Sequence, residues 1–195
     1  VDFQIAPADP VRIDNKWALW RPIYQYTWAK WQRSSYRHFA DYINALDNAT
    51  VLDLGTGIGS YIHLLKPKAN TRIIFTDPDS LSLAQAAAVP SPWATNFIFD
   101  VLDAESAVAK YSEASHISLV HVYSVLTDPE AFLERCHQFT PHATMLIYLS
   151  RFNGMRGLDH ISSALGFKQI DVSLLKSRFQ HEAVGRLNVS FRGPP

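Results

Sequence analysis

The sequence predicts an α/β fold, a mostly parallel seven-stranded sheet with an antiparallel last strand and helices on both faces, preceded by an aromatic helical lid. Three observations carry this expectation. Short apolar or β-branched runs alternate with helical patterns from residue 50 onward, the arrangement that parallel β-α-β units require. The run from Ile117 to Tyr123 is nearly continuous in apolar residues, as a strand buried on both faces is. A glycine-rich turn, Gly55-Thr56-Gly57-Ile58-Gly59, follows the first run directly, where a strand would pass into a helix.

Taken in order, the first ten residues, with Pro7 and Pro10, read as an irregular arm. From about Tyr24 to Leu46 the pattern is helical. Trp28, Trp31, Ser35, Phe39, Tyr42 and Leu46 recur at intervals of three and four, one stripe of a helical period. Lys30, Arg33 and Arg37 fall on another face, which reads as solvated. Asp47 and Asn48 end this helix, so residues 1–48 are expected to form the arm and lid and 49–195 the α/β domain.

Thr50 to Leu54 is the first strand, and Tyr61 to Leu65 begins a helix that Pro67 stops. Arg72 to Thr76 is a second strand, followed by a helix over Ser80 to Ala88 and a loop marked by Pro90 and Pro92. Phe97 to Phe99 and Ile117 to Tyr123 are the third and fourth strands. Asp128 caps a helix with Pro129 in its first turn, running to about Phe139. Thr144 to Leu149 is the fifth strand, and Asp159 to Leu165 a short helix that Gly166 ends. Phe167 to Val172 and Arg186 to Phe191 are the last two strands, expected to pair antiparallel because no strong helical pattern separates them.

Composition narrows the function classes. A chain of 195 residues suits one domain, and eighteen basic residues balance eighteen acidic ones. Nucleic acid is therefore disfavoured as a partner, since polyanion binding usually shows as a basic excess. The single cysteine, Cys136, excludes an intramolecular disulfide framework and a multi-cysteine zinc site. No segment approaches the ~18 consecutive apolar residues that span a bilayer, and the N-terminus lacks the pattern of a signal peptide. The expectation is a soluble protein of the cytoplasm with no membrane partner; a homodimer is compatible with the sequence.

The glycine turn lets the backbone approach a ligand closely, because no Cβ intervenes, and a following helix would direct its free amides to the same place. A dinucleotide fingerprint, G-x-G-x-x-G, is not met: counted from Gly55 it ends on Ser60, and from Gly57 on Ile62. A phosphate loop would need Gly-Lys-Ser/Thr near Ser60, which is absent. Asp53 stands just before the loop, where it would repel a diphosphate and welcome an ammonium.

The run Val51-Leu52-Asp53-Leu54-Gly55-Thr56-Gly57-Ile58-Gly59 resembles motif I of the class I S-adenosylmethionine-dependent methyltransferases, a family with a Rossmann-like fold. Two further stretches resemble the same family in the same order: Ile73-Ile74-Phe75-Thr76-Asp77 and Phe97-Ile98-Phe99-Asp100-Val101-Leu102-Asp103-Ala104. The resemblance runs from about Thr50 to Phe191 and implies S-adenosyl-L-methionine as cofactor. It sets Asp53 near the amino group, and Gly55, Thr56, Gly57 and Gly59 against the methionine and ribose parts. It sets Asp77, followed by Pro78, at the ribose hydroxyls, with His121 at the end of the fourth strand. The adenine amino group would meet either Asp100-Val101 or Asp103-Ala104, with Asp100 preferred because the strand ends at Phe99.

The chemistry is expected at the end of the fourth strand. His121 is a candidate base, or a neutral histidine packed in a strand; Tyr123 is a candidate for the acceptor pocket, or plain core. Arg151 and His160 follow the fifth strand on the same rim, where Arg151 would hold a substrate carboxylate or lie solvated. Trp17, Trp20, Tyr24, Tyr26 and Trp28 would suit an apolar or aromatic acceptor, or pack the helix on the sheet. No Asn/Asp-Pro-Pro-Tyr/Phe follows the fourth strand, so the resemblance to enzymes that methylate base amino groups stops there. Cys136 falls inside a helix and reads as packing, and no cluster has metal-ligand spacing. The expected function is methyl transfer to oxygen or nitrogen of a small, apolar or aromatic metabolite. The alternatives are an RNA or protein methyltransferase, a non-catalytic cofactor-binding partner protein, and non-methyl chemistry on the same fold.

Overall fold

Five parallel strands form the frame on which the candidate site is built. In the computed structural model, which describes residues 32–123, 126–150, 170–176 and 183–190, they are β1 (Thr50–Leu54), β2 (Arg72–Thr76), β3 (Phe97–Asp100), β4 (His116–Val120) and β5 (Thr144–Ser150). They lie side by side in the order β3-β2-β1-β4-β5. Two more strands, β6 (Ile170–Lys176) and β7 (Ala183–Ser190), pair antiparallel with each other, and β7 lies antiparallel against β5. Chain order runs outward from β1 through β2 to β3, then restarts on its other side at β4. That reversal opens a crevice at the carboxyl ends of β1 and β4, the usual ligand position in such sheets.

Side chains alternate across the sheet with a period of two. Leu52, Leu54, Ile117 and Leu119 enter one apolar cluster, covered by α3 (Ala104–Lys110) and α4 (Pro129–Phe139) through Ala107, Val108, Phe132, Leu133 and Cys136. Val51, Ile73, Phe75 and Val120 enter the opposite cluster, under α1 (Arg33–Ala45) and α2 (Ser80–Ala87). Helix α1 offers Tyr36, Phe39, Ala40 and Ile43 to it, all buried, at the spacing that aligns residues on one helical face. Phe39 meets Tyr61 and Tyr148 edge-on at 5.1 and 5.7 Å between ring centres, a favoured geometry for aromatic pairs.

Several boundaries differ from the sequence expectation, each for a local reason. The helix expected from Tyr61 to Leu65 is a single 3₁₀ turn, Ile62–Leu64, and Leu65 is already extended; Pro67 leaves too little chain to repay helix nucleation. Strand β4 stops at Val120 rather than Tyr123 because His121 takes φ +63° and leaves the sheet. Helix α3 was not expected. Its signals are the Asp103 cap and the spacing of Ala104, Ala107 and Val108. Helix α4 starts with Pro129 after the Asp128 cap.

The helical pattern from Tyr24 is described only from Arg33 onward. Trp17, Trp20, Tyr24, Tyr26, Trp28 and Trp31 lie outside the described residues, as do Arg151, His160 and the expected helix from Asp159 to Leu165. Among the described residues, no helix is long and apolar enough to cross a membrane. No group of three or more His, Cys, Asp or Glu among them could hold a metal ion.

Candidate functional site

Asp53 and Ser118 are register partners on β1 and β4, so their side chains leave the sheet on the same face. Ser118 Oγ donates to Asp53 Oδ1 at 2.6 Å. Thr56 Oγ1 donates to Asp53 Oδ2 at 2.7 Å, and the Tyr61 hydroxyl donates to the same oxygen. The Asp53 carboxyl is fully buried. Burial pushes its pKa from the ordinary 3.8 up to about 6, and the nearby charge of Asp77 adds to the rise, while the three hydroxyl donors pull it down. Tyr61, also buried and beside this carboxylate, is held well above the usual phenol range.

The loop after β1 is tied at both edges. Thr56 N donates to the Thr76 carbonyl at 3.0 Å, and Thr76 Oγ1 donates to the Asp53 carbonyl at 3.2 Å. Gly57 N donates to Asp77 Oδ2 at 2.8 Å, while Asp77 Oδ1 accepts from Asp79 N at 2.8 Å. Gly55, Gly57 and Gly59 all have positive φ, yet they serve different ends. A Cβ on Gly59 would lie 2.6 Å from Ile62 Cδ1 and 2.8 Å from Ala86 Cβ, and one on Gly55 would lie 2.6 Å from Val122 Cγ2. A Cβ on Gly57, at φ +58°, would meet nothing within 4 Å. The outer glycines admit close packing; the middle one faces open space.

That space is a cavity of about 730 Å³ at the carboxyl ends of the strands, within the size range of ligand sites. Where β2 and β3 end it is lined by Asp77, Asp79 and Asp103, and where β1 and β4 end by Tyr36, Tyr61 and His121. Leu126 and Phe132 supply apolar wall. Asp79, Asp103 and Asp128 are the N-caps of α2, α3 and α4 and accept from Leu81 N, Ser106 N and Ala131 N. All three line the cavity, so three helix N-termini open onto it, each capped by an acid that accepts from one of its free amides.

His121 stands at the aromatic end. Its N–H donates to the Tyr148 carbonyl at 3.0 Å, and its ring meets Tyr36 edge-on at 5.9 Å. Both ring nitrogens are buried and have no hydrogen-bond partner. Burial lowers its pKa from 6.5 to about 4, which leaves the ring neutral near pH 7.

Of the residues named from sequence, Gly55, Thr56, Gly57, Asp77, Pro78 and His121 line the cavity. Five others do not. Asp53 lies beneath the loop, consumed by the three hydroxyls. Gly59 packs on Ile62 and Ala86. Asp100 accepts from Lys110 Nζ at 2.6 Å and from the Tyr111 hydroxyl at 2.7 Å instead, and Val101 packs on the cluster beneath α1 and α2. Asp103 and Ala104, the alternative place for the adenine edge, line the cavity. Tyr123 is buried in the cluster under α3 and α4, not at the cavity wall. The substrate candidates Trp17, Trp20, Tyr24 and Arg151 fall outside the described residues.

Tyr36, Tyr61 and Ser118 were missed. Tyr61 stands two residues past the glycine loop, and Ser118 is a polar residue between Ile117 and Leu119 in the fourth strand. Either could have been flagged, but their meeting at Asp53 depends on strand register. Cys136 is fully buried, and burial pushes its thiol well above the ordinary range, in keeping with a packing role.

No family model matches the chain, and no curated protein sequence matches it. Solved structures do. A TehB-like S-adenosylmethionine-dependent methyltransferase from Corynebacterium glutamicum is 14% identical, with a TM-score of 0.59 over 89% of this chain and 100% of that one. Magnesium protoporphyrin IX methyltransferase from Synechocystis, solved with bound S-adenosylmethionine, is 16% identical, with a TM-score of 0.64 over 91% of this chain and 92% of that one. A precorrin 8w decarboxylase from Methanobacterium thermoautotrophicum is 12% identical, with a TM-score of 0.57 over 79% and 88%. Strand order, glycine loop and these likenesses together show that the chain has the Rossmann-like fold of the class I S-adenosylmethionine-dependent methyltransferases.

Proposed function

We propose that this chain is an S-adenosyl-L-methionine-dependent methyltransferase acting on oxygen or nitrogen of a small metabolite. The observation that carries the reading is the open cradle at Gly57 with the Asp77 carboxylate beside it, on the wall of one cavity. Each Asp77 oxygen accepts one backbone N–H, and a carboxylate oxygen can accept from a ribose hydroxyl as well. Asp103 and Ala104 take the adenine edge, with Leu126 and Phe132 as apolar wall. The bound cofactor supplies a methyl group already activated on a sulfonium.

What remains for the protein is to bring the acceptor close, orient it and exclude water. In this reading the stretch before α1 serves as the lid over the domain formed by 49–195, while α1 itself packs on the sheet. Trp17, Trp20 and Tyr24, with Arg151, line the acceptor side in this reading. His121 acts as a cofactor contact rather than a base, because a ring held neutral with a pKa of about 4 is a poor proton acceptor near pH 7.

Titration calorimetry with S-adenosyl-L-homocysteine tests the assignment. The protein should bind it, and Asp77→Ala should weaken binding at least about tenfold through lost charge-assisted hydrogen bonds. Unchanged affinity in Asp77→Ala sinks the ribose assignment, and no binding by the unaltered protein sinks the function.

A further inference from the structure

In folds of this kind the glycine loop runs into a helix, whose own hydrogen bonds hold the far end of the loop. Between β1 and β2 this chain has no such helix. Only the 3₁₀ turn Ile62–Leu64 follows the loop, and Leu65 is already extended. Gly55, Gly57 and Gly59 all sit at positive φ, and a single turn is too short to steady them by itself.

The missing support comes from α1, which precedes β1 in the chain. Tyr36 and Phe39, with Asn44 about two turns beyond Tyr36, fall on one side of that helix. The Tyr61 ring lies 5.2 Å from the Tyr36 ring and 5.1 Å from the Phe39 ring, and its hydroxyl donates to Asp53 beneath the loop. Asn44 grips the end of the turn. Its Nδ2 donates to the Leu64 carbonyl at 3.1 Å, and its Oδ1 accepts from Lys66 N at 2.5 Å. One amide side chain thus pairs with the backbone on both sides of Leu65, at the kind of carbonyl that a helix end leaves free. Lys66 is exposed, so water could satisfy its N–H as well; what Asn44 adds is a fixed position. Asn44 itself does not line the cavity, so any effect it has on a ligand there is transmitted through the loop.

We propose that α1 takes over the task of the absent helix, and that Asn44 is a positioning residue that holds the glycine loop in the form that receives the cofactor. Tyr61 carries the same constraint from α1 to Asp53. The proposal rests on the methyltransferase reading of the cavity.

Two measurements test it: calorimetry with S-adenosyl-L-homocysteine, and amide hydrogen exchange of the ligand-free protein followed by NMR. Asn44→Ala should weaken the ligand about fivefold, the size of one or two lost hydrogen bonds, while moving the thermal midpoint by no more than about 4 °C. The amides of Gly57, Gly59 and Ile62 should exchange faster in this variant, and those of β5 at an unchanged rate. Asn44→Asp, which still accepts from Lys66 N, should recover part of the lost affinity, and it carries the comparison if the alanine variant does not fold. Met145→Ala, in the cluster on the opposite face of the sheet, is the control for general damage. It should lower the thermal midpoint further and leave the affinity nearly unchanged. Unchanged affinity in Asn44→Ala, an equal loss in Met145→Ala, or loop amides that exchange no faster than before overturns the proposal. Failure of the unaltered protein to bind the ligand overturns the cofactor reading itself, and the exchange rates then still decide whether Asn44 holds the loop.

Discussion

Replacing Asp53 by asparagine removes a carboxyl group that the fold prefers to keep protonated. An aspartate in the unfolded chain loses its proton near 3.8, whereas burial raises Asp53 to about 6. Between those values the folded protein holds a proton that the unfolded chain has released. The contribution of this group to stability is therefore fully present below about pH 4 and is lost as pH rises through about 6. At 1.36 kcal/mol per unit, the span is about 3 kcal/mol. Asparagine does not titrate, so the stability of the unaltered protein relative to Asp53→Asn should fall by about that much between pH 4 and pH 7.5.

The assay is urea denaturation of both proteins at pH steps across that range, with the difference in unfolding free energy as the reading. The wild-type curve alone would mislead, because His121 works the other way. Its folded pKa is lowered from 6.5 to about 4, so it contributes stability above about 6.5 that is lost as pH falls toward 4. In the difference between the two proteins the His121 contribution largely cancels. A flat difference, or one that grows toward neutral pH, refutes the account of Asp53 as a carboxyl whose burial outweighs its three hydroxyl donors.

The glycine loop and the adenine end give two further predictions. Gly57→Ala should cost about 1–2 kcal/mol of stability from its positive φ and weaken S-adenosyl-L-homocysteine binding. Gly59→Ala should cost about 1–3 kcal/mol more by overpacking against Ile62 and Ala86; thermal midpoints in the opposite order contradict this reading. Asp103→Asn keeps a good helix cap but should weaken S-adenosyl-L-homocysteine binding, whereas Asp100→Asn, facing Lys110 and Tyr111, should leave it nearly unchanged. Equal calorimetric losses in the two variants would remove the distinction between them.

The sheet core was legible because its signals are local. Val51 to Leu54, Arg72 to Thr76 and the apolar fourth strand carry β-branched and aliphatic runs, and the glycine loop after the first of them marks itself. What was not legible depends on chain segments that meet only in three dimensions. Asp53 reads as a ligand group because it precedes the loop, yet register puts Ser118 opposite it and a turn brings Tyr61 onto it. Asp100 and Asp103 are three residues apart, and only the end of β3 and the start of α3 decide which one turns to the cavity. Tyr123 reads as the end of a strand, but the left-handed backbone at His121 redirects the chain and sends that ring into the core. No run of apolar residues announces such a turn.

A crystal structure of the protein with S-adenosyl-L-homocysteine tests the central claim most directly. The account predicts the ligand over Gly57, its ribose hydroxyls on Asp77 and its adenine edge at Asp103. A ligand seated outside this cavity, or within it but without contact to Gly57 and Asp77, would contradict the account.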